Sequence, residues 1–131
     1  GALRLRACDA AVAEDMAALS GGVAVQAVLH AGGVLADATV GNITLAGTRR
    51  VMAPKVTGLA RVCEVVAAQP AASRVLFSSV ASLLGSPGQG NYAMANAALD
   101  AWAQCMMQSG DGAVSVQWGA WAGGGMAMRD A

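Results

Sequence analysis

Charge is scarce in this sequence. Only 12% of the 131 residues are Asp, Glu, Lys or Arg, and eight acids balance eight bases. There is no basic surplus or stripe to track a phosphate backbone, which excludes a nucleic-acid binder. A chain that is 56% apolar with so few charges is not a disordered one either. Long apolar runs are also missing. The longest, Val23 to Val40, is broken by Gln26, His30, Asp37 and several glycines, short of the roughly 18 uninterrupted apolar residues of a membrane span. No charged n-region with an h-region marks a signal peptide. Cys8, Cys63 and Cys105 are the only cysteines, and no pair has zinc-knuckle or redox spacing. The expectation is a reduced, cytoplasmic chain with no metal centre. Gly1 leads almost at once into an apparent strand, so residues 1–131 are expected to be part of one domain within a longer protein.

What is present alternates between two periods. Leu3 to Cys8 repeats every second residue and stops at Asp9, as a strand does. Residues 11–19 suit a short helix broken by Gly21-Gly22. Val23 to Leu29, ending in His30-Ala31-Gly32-Gly33, is a near-continuous apolar run of the kind found in a strand covered on both faces. From Ile43 to Ala68, Met52, Val56, Leu59, Cys63 and Val66 form a helical stripe, with Pro54 at a kink or a start and Gln69-Pro70 at the close. Arg74 to Ser79 forms a third strand, Asn91 to Gln108 a helix with Leu99, Trp102 and Met106 as core, and Val114 to Trp118 a fourth strand. Four strands alternating with helices predict an α/β fold, a partial Rossmann-like doubly wound parallel sheet. Ligands of such sheets bind beyond the carboxyl ends of the strands, where Asp9, Ala31-Gly32-Gly33, Ser79 and Trp118-Gly119 all fall.

Chemistry concentrates on a few side chains that occur once or sit at telling intervals. Tyr92 and Asn96 are four apart on one predicted helix and share a face, so both can reach one small site. Ser79 ends the preceding strand thirteen residues earlier, and the glycine loop Gly85 to Gly90 lets the helix start fold back over it. Lys55 is the single lysine, its stem in register with Leu59, Val62 and Val66. A phenol, with an ordinary pKa of about 10, is a poor acid–base group at neutral pH unless a cation stabilises its phenolate. Serine polarising a carbonyl oxygen while tyrosine supplies the proton makes sense for a carbonyl being reduced by hydride. A tyrosine and an asparagine one turn apart more often only pack and cap, and it is the addition of Ser79 and Lys55 that points to catalysis. No Gly-x-Ser-x-Gly elbow accompanies His30, which argues against a hydrolase. Arg49-Arg50 suits a solvated helix face better than a docking patch.

Several ordered motifs carry a family resemblance: Ala53-Pro54-Lys55-Val56-Thr57-Gly58, Leu76-Phe77-Ser78-Ser79-Val80-Ala81, the run from Gly85 to Ala97, and Trp118-Gly119-Ala120-Trp121 continuing to Ala127. Together they resemble the ketoreductase domain of modular polyketide synthases, in the short-chain dehydrogenase superfamily. The usual superfamily signature has lysine four residues after the tyrosine. Here asparagine stands there, and the lysine lies on the preceding helix, which is similar to the synthase subfamily. The resemblance implies that Tyr92 is the proton donor, Ser79 holds the ketone oxygen, Lys55 supports Tyr92, and Asn96 orders the helix and proton relay. It implies a cofactor, NADPH, beside Asp9, Ala31, Gly32, Gly33, Lys55 and Tyr92. It also implies a β-ketoacyl substrate on an acyl carrier protein's phosphopantetheine, and other polyketide synthase domains as partners. Leu35-Ala36-Asp37 keeps the second aspartate of one stereochemical subtype's Leu-Asp-Asp motif, and Leu84 stands where the other subtype often has tryptophan; the lean is to the first.

The resemblance also exposes a gap. The glycine-rich fingerprint that wraps the cofactor pyrophosphate, and the basic residues that select a 2′-phosphate, are not in these 131 residues. The Gly85 to Gly90 loop lacks the Gly-x-Gly-x-x-Gly spacing. In the sheet order 3-2-1-4-5-6 the chain supplies strands resembling the third to the sixth. Two central neighbours are then missing, and an apolar edge near Val23 to Leu29 is left bare. The expectation is a marginally stable piece, inactive alone, from an NADPH-dependent β-ketoacyl reductase. The alternative is a non-catalytic remnant of one.

Overall fold

The computed structural model describes residues 3–19, 24–67 and 72–121. The breaks expected at Gly21-Gly22 and Gln69-Pro70, and the motif beyond Trp121, lie outside these residues. The elements run α1 (Ala13–Ala17), β1 (Ala27–His30), α2 (Leu45–Met52), a π-turn (Ala53–Thr57), α3 (Gly58–Val66), β2 (Ser73–Ser79), α4 (Ala81–Leu84), α5 (Gly90–Gln108) and β3 (Ala113–Trp118), with a 3₁₀ turn at Val40–Asn42. The sheet is parallel in the order β1-β2-β3, with His30 beside Leu76 and Leu76 beside Ser115. The α/β architecture is as expected. The short α4 and the 3₁₀ turn were not anticipated, because four residues or fewer are too few to show a period.

Three strands, not four, form the sheet among the described residues. Leu3 to Cys8 joins no ladder, and Leu5 is 87% exposed. Alternation makes a strand only where a neighbour accepts the backbone hydrogen bonds. Here the segment runs instead beside the end of α1, where the Arg6 guanidinium donates to the Ala18 carbonyl at 2.9 Å.

Burial on the sheet is one-sided. Leu76 is fully buried and meets Leu59 of α3 and Leu99, Ala103 and Met106 of α5, with Trp102 packed against them. On the opposite face, the Leu29–Val75–Val114 row is half bare, with Leu29 68% and Val114 49% exposed. The reading of β1 as covered on both faces is therefore corrected. The apolar run equips both faces, but the described helices that pack on the sheet cover one.

Helix α5 joins two cores. Its second half packs under the sheet, and its first half packs Tyr92 and Ala95 against Val51 and Ala81. Buried on several sides, it shows little amphipathic contrast. The long helix predicted over Ile43 to Ala68 is instead two helices around a π-turn. Pro54 has no N–H to give the carbonyl four residues back, and the Gly58 N–H bonds the Ala53 carbonyl five residues back. Thr44 caps its start, the Oγ1 accepting the Gly47 N–H at 3.0 Å. No described helix is long and apolar enough to cross a membrane.

These two faces make opposite predictions for one substitution. Leu76→Ala empties a closed site and is expected to cost about 2–5 kcal/mol, while Leu29→Ala costs under about 1 kcal/mol. Urea unfolding of both variants checks the contrast.

Candidate functional site

The π-turn decides where the only lysine points. By inserting a residue into the helix it turns Lys55 inward, and the side chain is 3% exposed. Its Nζ donates to the Phe77 carbonyl of β2 at 2.9 Å and lies 5.6 Å from the centre of the Tyr92 ring, within cation–π range. Beneath it, buried His30 lies with Nε2 2.9 Å from the Lys55 carbonyl. A carbonyl only accepts, so Nε2 carries the proton. Burial lowers the His30 pKa and keeps the ring neutral, so a neutral imidazole clamps the turn. Burial likewise lowers the Lys55 pKa to about 8, opposed by the attraction of the Asp100 carboxylate.

Tyr92 enters the site from the first turn of α5. Its N–H donates to Asn91 Oδ1 at 2.8 Å, and Asn91 Nδ2 donates to the Ala36 carbonyl at 2.8 Å, so the helix start is tied to the loop after β1. The same two loops meet where the Ala38 N–H donates to the Gly88 carbonyl and Gln89 Nε2 donates to Asp37 Oδ2. Gly85 and Gly88, both at φ 72°, give the second loop the left-handed turns that this path needs.

Ser79 stands at the carboxyl end of β2 with its Oγ accepting the Ala81 N–H at 3.2 Å. A hydroxyl that accepts there keeps its own proton to donate. Lys55, Ser79 and Tyr92 line one cleft of about 600 Å³. Phe77, Trp118 and Trp121 form a wall of it, with ring centres 5.6 Å and 5.4 Å apart in succession.

The other expected residues divide. Ala31 lines the cleft, whereas Gly32, Gly33 and Asp9 do not. Gly32 lies against Pro54 of the π-turn. Asp9 organises the entry to α1, its carboxylate accepting the Ala11 N–H at 2.8 Å. Asn96 does not reach the cleft alongside Tyr92, as its spacing implied. It is fully buried one turn below, its Nδ2 donating to the Tyr92 carbonyl at 2.8 Å while its Oδ1 is left without a partner. Arg49 and Arg50 are exposed, as a solvated face requires.

Sequence reasoning missed Asp100. It lies a further turn along the Tyr92–Asn96 face, and Ser115, Ser82 and Gln117 all donate to its carboxylate. Burial alone raises its pKa, but these donors together with Ser78 outweigh it, and the net direction is down. The signal was there: polar residues at every fourth position of an otherwise apolar helix.

Comparison with known proteins bears on this site. Residues 2–123 match the KR domain family. Polyketide synthase GfsA of Streptomyces halstedii is 41% identical over 98% of this chain, which spans 2% of that protein. The phthioceranic/hydroxyphthioceranic acid synthase of Mycobacterium tuberculosis is 45% identical over 79% of the chain and 5% of its own length. Among solved structures, one described as an A-type ketoreductase from a modular polyketide synthase superposes with a TM-score of 0.88 at 41% identity, covering 95% of this chain and 27% of that one. The chain thus spans a small part of each relative.

Lys55 gives the site a pH signature. With its pKa lowered from the ordinary 10.5 to about 8, the fold favours the neutral amine, and the unfolded chain binds more protons between those values. Stability is expected to rise as pH climbs from 8 to 10.5 and to fall as pH drops back through 8. Thermal unfolding across that range checks the slope, and Lys55→Met is expected to flatten it.

Proposed function

Because this chain belongs to the KR domain family of polyketide synthases, we propose that it carries the catalytic half of an NADPH-dependent β-ketoacyl reductase. It turns a carrier-bound β-ketoacyl thioester into the β-hydroxyacyl thioester. The observation that carries the reading is that Lys55, Ser79 and Tyr92 line one cleft at the carboxyl ends of parallel strands, with the Lys55 amine over the Tyr92 ring.

The cleft suits the nicotinamide and ribose end of a dinucleotide. A flat ring has the Phe77–Trp118–Trp121 wall to lie near, and Lys55 and Tyr92, which line the same cleft with Ala31, would hold ribose hydroxyls. When bound, the cofactor supplies a hydride to the ketone carbon. Ser79 donates a hydrogen bond to the ketone oxygen and polarises it. Tyr92 passes its phenolic proton to that oxygen as negative charge develops there. The Lys55 cation, 5.6 Å from the Tyr92 ring centre, stabilises the phenolate that remains. Asn96 holds the first turn of α5, and its free Oδ1 is available to a proton path below Tyr92.

The pyrophosphate end has no cradle in this sequence: the glycine-rich turn is absent. Asp9, Gly32 and Gly33, which lie off the cleft, are read as contacts for the distal part of the dinucleotide. The working enzyme therefore includes further polyketide synthase residues, with an acyl carrier protein presenting the substrate in the cytoplasm. Alone, the chain lacks what positions the hydride donor, and positioning is most of the catalytic task.

The test is NADPH-dependent reduction of a β-ketoacyl thioester by this chain alone and within its complete ketoreductase. The chain alone is expected to show no turnover and the complete domain to turn over. Tyr92→Phe in the complete domain is expected to lower kcat about 10²- to 10⁴-fold with folding unchanged. A complete domain that folds but neither binds NADPH nor reduces the thioester makes this a non-catalytic module.

A further inference from the structure

Two strand ends and two helices meet at one side chain outside the cleft. Around the Asp100 carboxylate, Ser115 Oγ lies 2.5 Å from Oδ1, and Ser82 Oγ and Gln117 Nε2 lie 2.6 and 2.9 Å from Oδ2. Ser82 belongs to α4, and its Oγ is also 2.8 Å from the Ser79 carbonyl. Gln117 precedes Trp118 of the aromatic wall and reaches Ser82 Oγ at 3.2 Å. Asp100 is four residues beyond Asn96, whose carbonyl accepts from Ser78 Oγ of β2 at 3.3 Å. Through these bonds, one carboxylate fastens the element carrying Tyr92 to the strand ends carrying Ser79 and Trp118.

The charge of the same carboxylate attracts the buried Lys55 amine and opposes the lowering of its pKa by burial. Lys55 meets the neutral His30 of β1 through its carbonyl, and the Phe77 carbonyl of β2 and the Tyr92 ring of α5 through its amine, while Asp100 of α5 acts on it by charge. Of these, Asp100 is the anion. A negative charge held by several donors stays ionised and favours the protonated form of a cation near it.

We propose that Asp100 is a positioning residue of the reductase, one that fastens the walls bearing Ser79 and Trp118 to the Tyr92 helix and, through that fixed placement of its negative charge, favours the protonated form of Lys55. Its bearing on catalysis rests on the reductase reading above, whereas its effect on Lys55 does not.

The deciding measurement is the Lys55 titration in the complete ketoreductase labelled with [ε-¹³C]lysine, the resonance being assigned by its loss in Lys55→Arg. In the unsubstituted protein the amine is expected to titrate near 8. Asp100→Asn, or Asp100→Ser if the amide cannot be seated, is expected to lower that midpoint by about half a unit or more, and Asp100→Glu to restore it. The basic limb of the kcat/KM profile should move down with the midpoint, which loss of stability alone would not cause. A neutral variant that folds with the Lys55 midpoint unmoved overturns the proposal. Failure of both neutral variants to fold also overturns it, since a purely structural role then accounts for Asp100. Absence of reduction by the unsubstituted domain removes the reductase reading but leaves the titration decisive for the Lys55 effect.

Discussion

The buried ammonium of Lys55 is the constraint around which this molecule is arranged. A lysine amine taken out of water costs several kcal/mol unless polar partners meet it. Here the Phe77 carbonyl of β2 and the Tyr92 ring face of α5 meet it, and the charge of the Asp100 carboxylate, two turns further along α5, attracts it. Each partner is useful only if the lysine points inward. The π-turn at Pro54 turns it that way, and neutral His30 holds the turn from the end of β1. Strand, turn and helix are therefore coupled through one charge.

The fold supports this with two small cores in place of one large one. Leu59, Leu76 and Leu99 seal one face of the three-stranded sheet, and Val51, Ala81, Tyr92 and Ala95 close the ground beside the cleft. Helix α5 belongs to both, so its position is determined twice, once under the sheet and once at the cleft. The other face of the sheet carries the bare Leu29 and Val114.

Much of this was legible in the residues. β2, α5 and β3 lie within a residue of where period and punctuation put them, because each is long enough for its pattern to repeat. Lys55, Ser79 and Tyr92 line one cleft, Lys55 by way of a π-turn that its helical register did not foretell. Leu3 to Cys8 misled because alternation reports which side chains are apolar, and a strand also needs a neighbour to complete its ladder. Asn96 misled in a related way: sharing a helix face with Tyr92 gives a common direction, but here that direction leads one step down into the core. Asp100 escaped notice because its partners, Ser82, Ser115 and Gln117, are polar residues common on any surface, and only folding gathers them.

The sequence by itself determined the α/β class, the parallel strands and the family, because these follow from short-range periods and from ordered local motifs. Tertiary structure alone decided that the sheet is packed on one face, that Lys55 is turned inward by a π-turn, and that Asp100 gathers two strand ends. Those outcomes depend on contacts between residues far apart in the chain. No local pattern encodes which buried charge will meet which distant donor until the backbone has brought them within about 3 Å.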